Sequence, residues 1–158
     1  MDKKIKVGYQ GAHGTFSEIA VQEFFKNQVF EACNYKNFPS IIADVEKGMI
    51  DYALLPVENT TTGIIYRTYD LLKDSDIFAV GEILVRIDEH LIGLPQSKIE
   101  DLREVYSHPE PFDQCSGFFA AHPWIKPVTY QDTAKSVEYV AQCQDPTKAA
   151  LGSWLAAQ

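Results

Sequence analysis

A chain of 158 residues, 46% hydrophobic and 23% charged, is long enough to bury a core as one domain or two small lobes without a disulfide staple. Its formal charge of −8 argues against nucleic acid, which needs a basic footprint, and requires any anionic ligand to be held locally against the overall field. There is no apolar run of about 18 residues, and M-D-K-K leads into a strand rather than a signal segment, so no membrane partner is expected. The three cysteines, Cys33, Cys115 and Cys143, are far apart with no C-x-x-C spacing. That points to a reducing cytoplasm and away from a structural zinc site.

In chain order, Ile5–Tyr9 is a predicted strand. Phe16, Ile19, Ala20 and Phe24 then fall at helical spacing and predict a helix from Thr15 to about Lys26. Pro39 suits a first helical position, Ile41, Ile42 and Val45 form one face, and Gly48 stops that helix. Ile50–Leu55 reads as a second strand, ended by Pro56. A third helix is expected from about Gly63 to Lys73, with Ile64, Ile65, Thr68, Leu71 and Leu72 inward. Ile77–Ile87 is a long β-rich run leading into His90–Leu94, with Gly81 allowing a bend, and it suits a crossing from one lobe to another.

A second series follows: a strand at Val105–Tyr106, a helix at Pro111–Ala121, a strand at Val128–Tyr130, a helix at Thr133–Cys143 and a strand at Ala149–Leu151. The alternation predicts an α/β fold with mostly parallel sheets, divided into a first lobe over 1–80 and a second over 81–158. Ser153–Gln158 resembles the start of a helix with no stop signal after it. The chain is therefore expected to be truncated, its second lobe incomplete.

Four clusters offer chemistry, each with a plainer explanation beside it. In G-A-H-G-T-F-S-E (Gly11–Glu18), a glycine-bearing turn at a helix start offers N–H groups, with Thr15 and Ser17 as hydroxyl donors, to an anion. Equally, Thr15-x-x-Glu18 fits a capping box that serves only the helix. V-E-N-T-T-T-G (Val57–Gly63) brings Glu58, Asn59, Thr60, Thr61 and Gly63 just beyond a strand end, where open α/β sheets bind ligands. Thr61 or Thr62 as a helix cap is the alternative. S-H-P-E-P-F-D-Q-C (Ser107–Cys115) sets Ser107 and Gln114 near a proline-started helix, with His108 as a candidate proton carrier. A Ser107/Glu110 capping box explains it otherwise. In Q-D-T-A-K-S, Asp132 or Thr133 starts a helix, and a cap accounts for it fully. No metal-ligand spacing links His13, His90, His108 and His122, and no cofactor loop is present, so neither metal nor cofactor is expected. Loops that recur at helix starts and share sheet edges would converge on a small, polar, anionic ligand.

Taken together, G-x-x-G-T-F-S-E-x-A (Gly11–Ala20), P-V-E-N-T-T-T-G (Pro56–Gly63), S-H-P-E-P-F-D-Q-C, D-T-A (Asp132–Ala134) and A-A-L-G-S (Ala149–Ser153) resemble the prephenate dehydratase family. The resemblance implies two α/β lobes like those of type 2 periplasmic binding proteins, with the ligand in the cleft between them. It implies conversion of prephenate to phenylpyruvate, water and carbon dioxide in phenylalanine biosynthesis, in the cytoplasm, by a homodimer or higher homo-oligomer. Asn59, Ser107 and Gln114 carry over as the principal catalytic positions. Thr15, the Thr60–Thr61 pair and Thr133 carry over as cleft-lining residues, joined by Ser17, Glu58, Gly63 and His108 as candidate substrate contacts. The family's Thr-Arg-Phe motif, whose threonine is its main catalytic hydroxyl, and its phenylalanine-sensing ACT domain have no counterpart before Gln158. The alternatives are a non-catalytic small-anion binding module of the same fold and an arogenate dehydratase.

Overall fold

Val7, Gly8 and Tyr9 are all buried, which marks the first strand as one covered on both faces, as parallel strands are. The computed structural model describes residues 4–158, in two compact units: one running to Arg86, the other Ile87–Gln158. In the first, β1 (Ile5–Gln10) is the central strand of a three-stranded parallel sheet. It pairs with β2 (Phe30–Tyr35) from Ile5↔Phe30 to Gln10↔Tyr35, and with β3 (Tyr52–Ala53) at Val7↔Tyr52 and Gly8↔Ala53. β2 escapes the sequence pattern because it is a sheet edge, and its exposed Glu31 and Asn34 dilute the apolar signal.

Successive residues of β1 face opposite helices. Val7 and Tyr9 pack with Val21 of α1 (Phe16–Phe24) and with Phe25 just beyond it. Gly8 faces the other way, where a Cβ would lie 2.6 Å from Ile50 Cδ1 and 2.8 Å from Ile41 Cγ2. Ile41 belongs to α2 (Phe38–Glu46), so the missing side chain lets α2 sit close against the sheet. Asn37 caps that helix, its Oδ1 accepting from Ser40 N at 3.0 Å, with Pro39 in the first turn as expected.

The strand expected over Ile50–Leu55 is shorter in fact, although Asp51 N and Leu54 N still donate to Lys6 O and Gly8 O. A hairpin of β4 (Glu58–Asn59) and β5 (Gly63–Ile64) follows, and α3 begins only at Tyr66, running to Lys73. Gly63 and Ile64 are thus spent on the hairpin, and Ile64, expected inward, is half exposed. Thr68 is fully buried and donates to Pro56 O at 2.7 Å, tying α3 to the hairpin's entry. The β-rich run Ile77–Ile87 forms no strand. Phe78, Val80 and Leu84 are 87%, 74% and 99% exposed. Their alternation is strand-like, but a strand is completed by a neighbour's ladder, and no described strand pairs with this run.

The second unit holds a four-stranded sheet in the order β6-β9-β7-β8. β7 (Glu104–Ser107), β8 (Lys126–Thr129) and β9 (Lys148–Gly152) run parallel, and β6 (His90–Gly93) lies antiparallel on the β9 edge. α4 (Pro109–Gln114) and α5 (Ser116–Ala121) cover one face, where Phe112, Cys115, Phe118 and Phe119 pack against Leu102, Val105, Ile125, Ala149 and Leu151. α6 (Thr133–Cys143), with the bounds expected, covers the other through Val137 and Val140 against Tyr106 and Ala150. The single helix expected over Pro111–Ala121 starts earlier and is broken at Cys115, whose backbone (φ −98°, ψ 17°) leaves helical geometry. Ser153–Gln158 closes on a short 3₁₀ turn, Leu155–Ala157, with Ser153 Oγ accepting from Ala156 N. Among the described residues no helix is long and apolar enough to cross a membrane.

Gly8→Ala forces a methyl onto the stiff, branched Ile41, and overpacking of this kind costs about 1–3 kcal/mol. Urea denaturation should show that loss in the first unit; an unchanged midpoint would mean that α2 is not held as closely as described.

Candidate functional site

In the first unit, G-A-H-G-T-F-S-E links β1 to α1. Gly11 N donates to Tyr35 O at 3.0 Å, which pins the turn to the end of β2. Gly11 has φ +112°, and a Cβ there would stand 2.7 Å from Thr15 Cγ2, so the position demands glycine on two grounds. Thr15 is the N-cap residue of α1 but makes no side-chain cap bond. The capping box expected of Thr15 and Glu18 is therefore not formed. Glu18 works alone: one carboxylate oxygen accepts from Gly14 N at 2.7 Å and the other pairs with His13 Nδ1 at 2.9 Å. Glu18 is 6% exposed and His13 lies open to solvent. The phenol of Tyr9 sits beside the same carboxylate. Burial, then the charge of Glu18 and a hydrogen bond to it, push the phenol up to about 12. Glu18 thus holds the turn ahead of the helix rather than a helix N–H, and the Thr15 hydroxyl, which caps nothing, is buried with no partner among the described residues.

The second cluster is the β4–β5 hairpin, with Thr60, Thr61 and Thr62 exposed in its turn. Asn59 Oδ1 accepts from Thr61 N at 2.7 Å, an Asx turn that fixes the side chain. Its Nδ2 has no hydrogen-bond partner among the described residues. Neither Thr61 nor Thr62 caps a helix, because Ile65 occupies the N-cap position of α3. Glu58 and Gly63 lie in the paired strands, and Ser17 in the first turn of α1. A concavity of about 310 Å³ in this unit is lined largely by apolar residues, among them Val45, Tyr52, Leu55 and Phe78. Of the candidate loops only Val57 lines it, and none of their polar residues does, so volume and chemistry point to different places.

In the second unit, Ser107 ends β7, fully buried, and donates to Leu151 O on neighbouring β9 at 3.2 Å. The expected Ser107/Glu110 capping box is also absent: His108 is the N-cap, its Nδ1 accepting weakly from Glu110 N at 3.5 Å. Pro109 and Pro111 occupy the first turn, where missing N–H groups cost nothing. Gln114 is the last residue of α4 and exposed, its amide unbonded among the described residues. Asp132 caps α6, accepting from Lys135 N at 2.7 Å, and leaves Thr133 as the first helical residue. The Thr133 carbonyl lies 3.5 Å from where a Cβ on Gly152 would sit. Ser107, Gly152 and Thr133 thus gather at the carboxyl end of the parallel strands.

Two residues carry more than their sequence suggested. Glu18 was visible only as the far end of a capping motif. Glu89 belongs to none of the motifs and immediately precedes β6, in which Leu91 packs into the α4–α5 core. The Glu89 Oε2 is buried without a hydrogen-bond partner among the described residues. Burial pushes its carboxyl up to about 7, with neighbouring His90 pulling down and Glu110 of α4 pushing further up. The same carboxylate, after burial, raises the Cys115 thiol.

Glu18→Ala strips the Gly14 N–H of a buried partner, which should cost about 1–3 kcal/mol in urea denaturation. An unchanged midpoint would deny Glu18 its hold on that turn. For Glu89 the sign follows from a folded-state value raised from 4.5 to about 7. Between those values the folded chain keeps a proton that the unfolded chain releases, so its contribution falls as pH rises through that window. The stability of Glu89→Gln relative to the parent should accordingly increase from pH 5 to pH 8. A difference independent of pH would place the carboxyl in water.

The sequence profile of the prephenate dehydratase family matches residues 7–158. The bifunctional chorismate mutase/prephenate dehydratase of Escherichia coli K12 is 36% identical over 152 residues, covering 94% of this chain and 39% of that protein. The chain thus spans about two fifths of that relative's length. Among solved structures, the prephenate dehydratase of Arthrobacter aurescens in complex with L-Phe superposes with a TM-score of 0.83 at 25% identity, over 97% of this chain and 51% of its own. GqqA, described as a novel type of quorum-quenching acylase, superposes with a TM-score of 0.83 at 30% identity, over 96% of this chain and 55% of its own. A family match across nearly the whole chain, joined to a near-equal fold, makes this chain a member of the prephenate dehydratase family.

Proposed function

We propose that this chain binds prephenate and carries residues that convert it to phenylpyruvate, water and carbon dioxide, a carbon–oxygen lyase step in phenylalanine biosynthesis. The observation that carries the reading is the family match over residues 7–158, which takes in all four polar loops. Loss of the ring hydroxyl together with the ring carboxylate creates an aromatic ring, so the protein has to orient the substrate and assist the departing oxygen. Neutral, positioned donors suit that task. A strong cationic clamp on the departing carboxylate would stabilise the ground state instead.

Asn59 is the best-prepared donor of the first unit, because the Asx turn holds its oxygen and leaves the Nδ2 protons unbonded within the described protein. Thr15 adds a buried hydroxyl without a partner, and Ser17, Glu58, Thr60, Thr61 and Gly63 complete that set of contacts. In the second unit, taken by itself, the proposed contacts are Ser107 and Gln114, with His108 and Thr133. The Ser107 bond to Leu151 O, 3.2 Å long, is beyond the usual range for O–H···O, so turning this hydroxyl toward a ligand costs little. The reading carries with it a cytoplasmic setting, supported by three cysteines that are all free, and self-association into a homodimer or larger homo-oligomer.

Phenylpyruvate formation from prephenate, assayed beside arogenate, tests the reaction, and calorimetry with prephenate tests binding separately. Turnover of prephenate is expected. Heat without product would reduce the chain to a binding module, and neither would end the proposal. Asn59→Ala should weaken prephenate binding by roughly 1.5–3 kcal/mol, the cost of losing a hydrogen bond to a charged group, which is about 10- to 150-fold in Kd. Unchanged affinity would remove Asn59 from the site.

A further inference from the structure

We propose that the side-chain carboxyl of Glu89 is the acid that hands a proton to the departing ring hydroxyl. The assignment rests on the prephenate reading above and adds a residue that the motifs do not include.

Three observations within the second unit support it. The first is position. His90, the first residue of β6, pairs with Gly152, the last of β9, so antiparallel β6 begins at the edge where parallel β9 and β7 end. Glu89 stands one residue before that, at the same edge as Ser107 and the first turn of α4. The second is the side chain's surroundings. Glu89 immediately precedes β6, and Leu91, two residues on, packs toward α4 and α5. The Glu89 carboxyl lies close enough to Glu110 and Cys115 for their charges to interact. The third is an unmet bonding capacity. Oε2 is buried with no hydrogen-bond partner among the described residues, whereas buried polar atoms are nearly always paired. A neutral carboxylic acid reduces the cost of that burial and has one O–H to donate.

The groups facing Glu89 account for its state. His90, beside it in sequence, favours the charged form. Glu110 from α4 opposes it, and burial outweighs both, leaving the carboxyl poised at about 7. An acid is most effective when its proton is held near the working pH. His108, the other candidate, has its Nδ1 turned to the N–H of Glu110 as the cap of α4. In the step itself the ring C–O bond breaks as the bond to the ring carboxylate breaks. The electron pair of the latter enters the ring, carbon dioxide leaves, and the departing oxygen takes the Glu89 proton and leaves as water. Glu89, now a carboxylate, regains a proton from solvent. No oxidant or reductant is involved.

The test uses the full 158-residue chain labelled with ¹³C at glutamate side-chain carboxyls, and Glu89→Gln to assign the resonance. The Glu89 signal should titrate near neutral pH and shift when prephenate is bound. In the parent, kcat should fall as pH rises through the same range. Glu89→Gln should lose about 100-fold or more in kcat, the scale of general acid catalysis, keep its affinity for prephenate, and lose that alkaline fall. A purely structural role would not move the pH profile. A resonance indifferent to bound prephenate, or a variant with the parent's kcat and pH profile, overturns the assignment while leaving the prephenate reading intact. Binding without turnover at any pH also overturns it. Prephenate that does not bind at all removes both.

Discussion

Parallel pairing is the constraint on which both units depend. Strands that run the same way must be joined by crossovers, here chiefly helices, so their carboxyl ends and the helix starts collect along one edge. In the first unit the pairing of β1 with β2 and β3 brings G-A-H-G-T-F-S-E and the threonine hairpin after the sheet's carboxyl ends. In the second, β7 beside β9 brings Ser107 to Leu151, with Thr133 near Gly152. The polar loops follow from the sheets, and the sheets from short runs of consecutively buried residues such as Ala149-Ala150-Leu151.

Helix capping and ligand binding draw on the same residue types, and the structure separates them where sequence cannot. Serine, threonine, asparagine and aspartate favour helix starts because their oxygens satisfy unpaired N–H groups. Asp132 and Asn37 do that work here. Thr15 and Ser107 do not: the Thr15 hydroxyl makes no cap bond, and His108 caps the fourth helix. A hydroxyl at a helix start that is not needed as a cap is a better candidate for a ligand than one that is. On that ground the case for Thr15 and Ser107 is stronger than their motifs alone allowed, and the case for Thr133, one residue inside a complete cap, rests more on its place beside Gly152.

Much of the architecture could be read from the chain. α6 was legible to the residue because its apolar positions keep helical spacing and Asp132 starts it cleanly. The edge strand β2 was not, because Glu31 and Asn34 within it meet solvent and interrupt the apolar signal. Ile77–Ile87 misled in the opposite sense, since alternation marks an extended chain but cannot supply a neighbouring strand. Of the candidate site, the identities of the polar loop residues were legible, while the division of labour among them was not. Glu89 illustrates why: nothing in D-E-H distinguishes a solvated acid from one folded under α4, and only tertiary burial makes that difference.

The most direct test of the account is an amide-resonance titration of the chain with prephenate. Saturable shifts are expected at the polar loops, Gly14–Ser17, Asn59–Gly63 and Ser107–Gln114. Saturable shifts centred on the apolar concavity around Tyr52 and Phe78, with none at these loops, would contradict it.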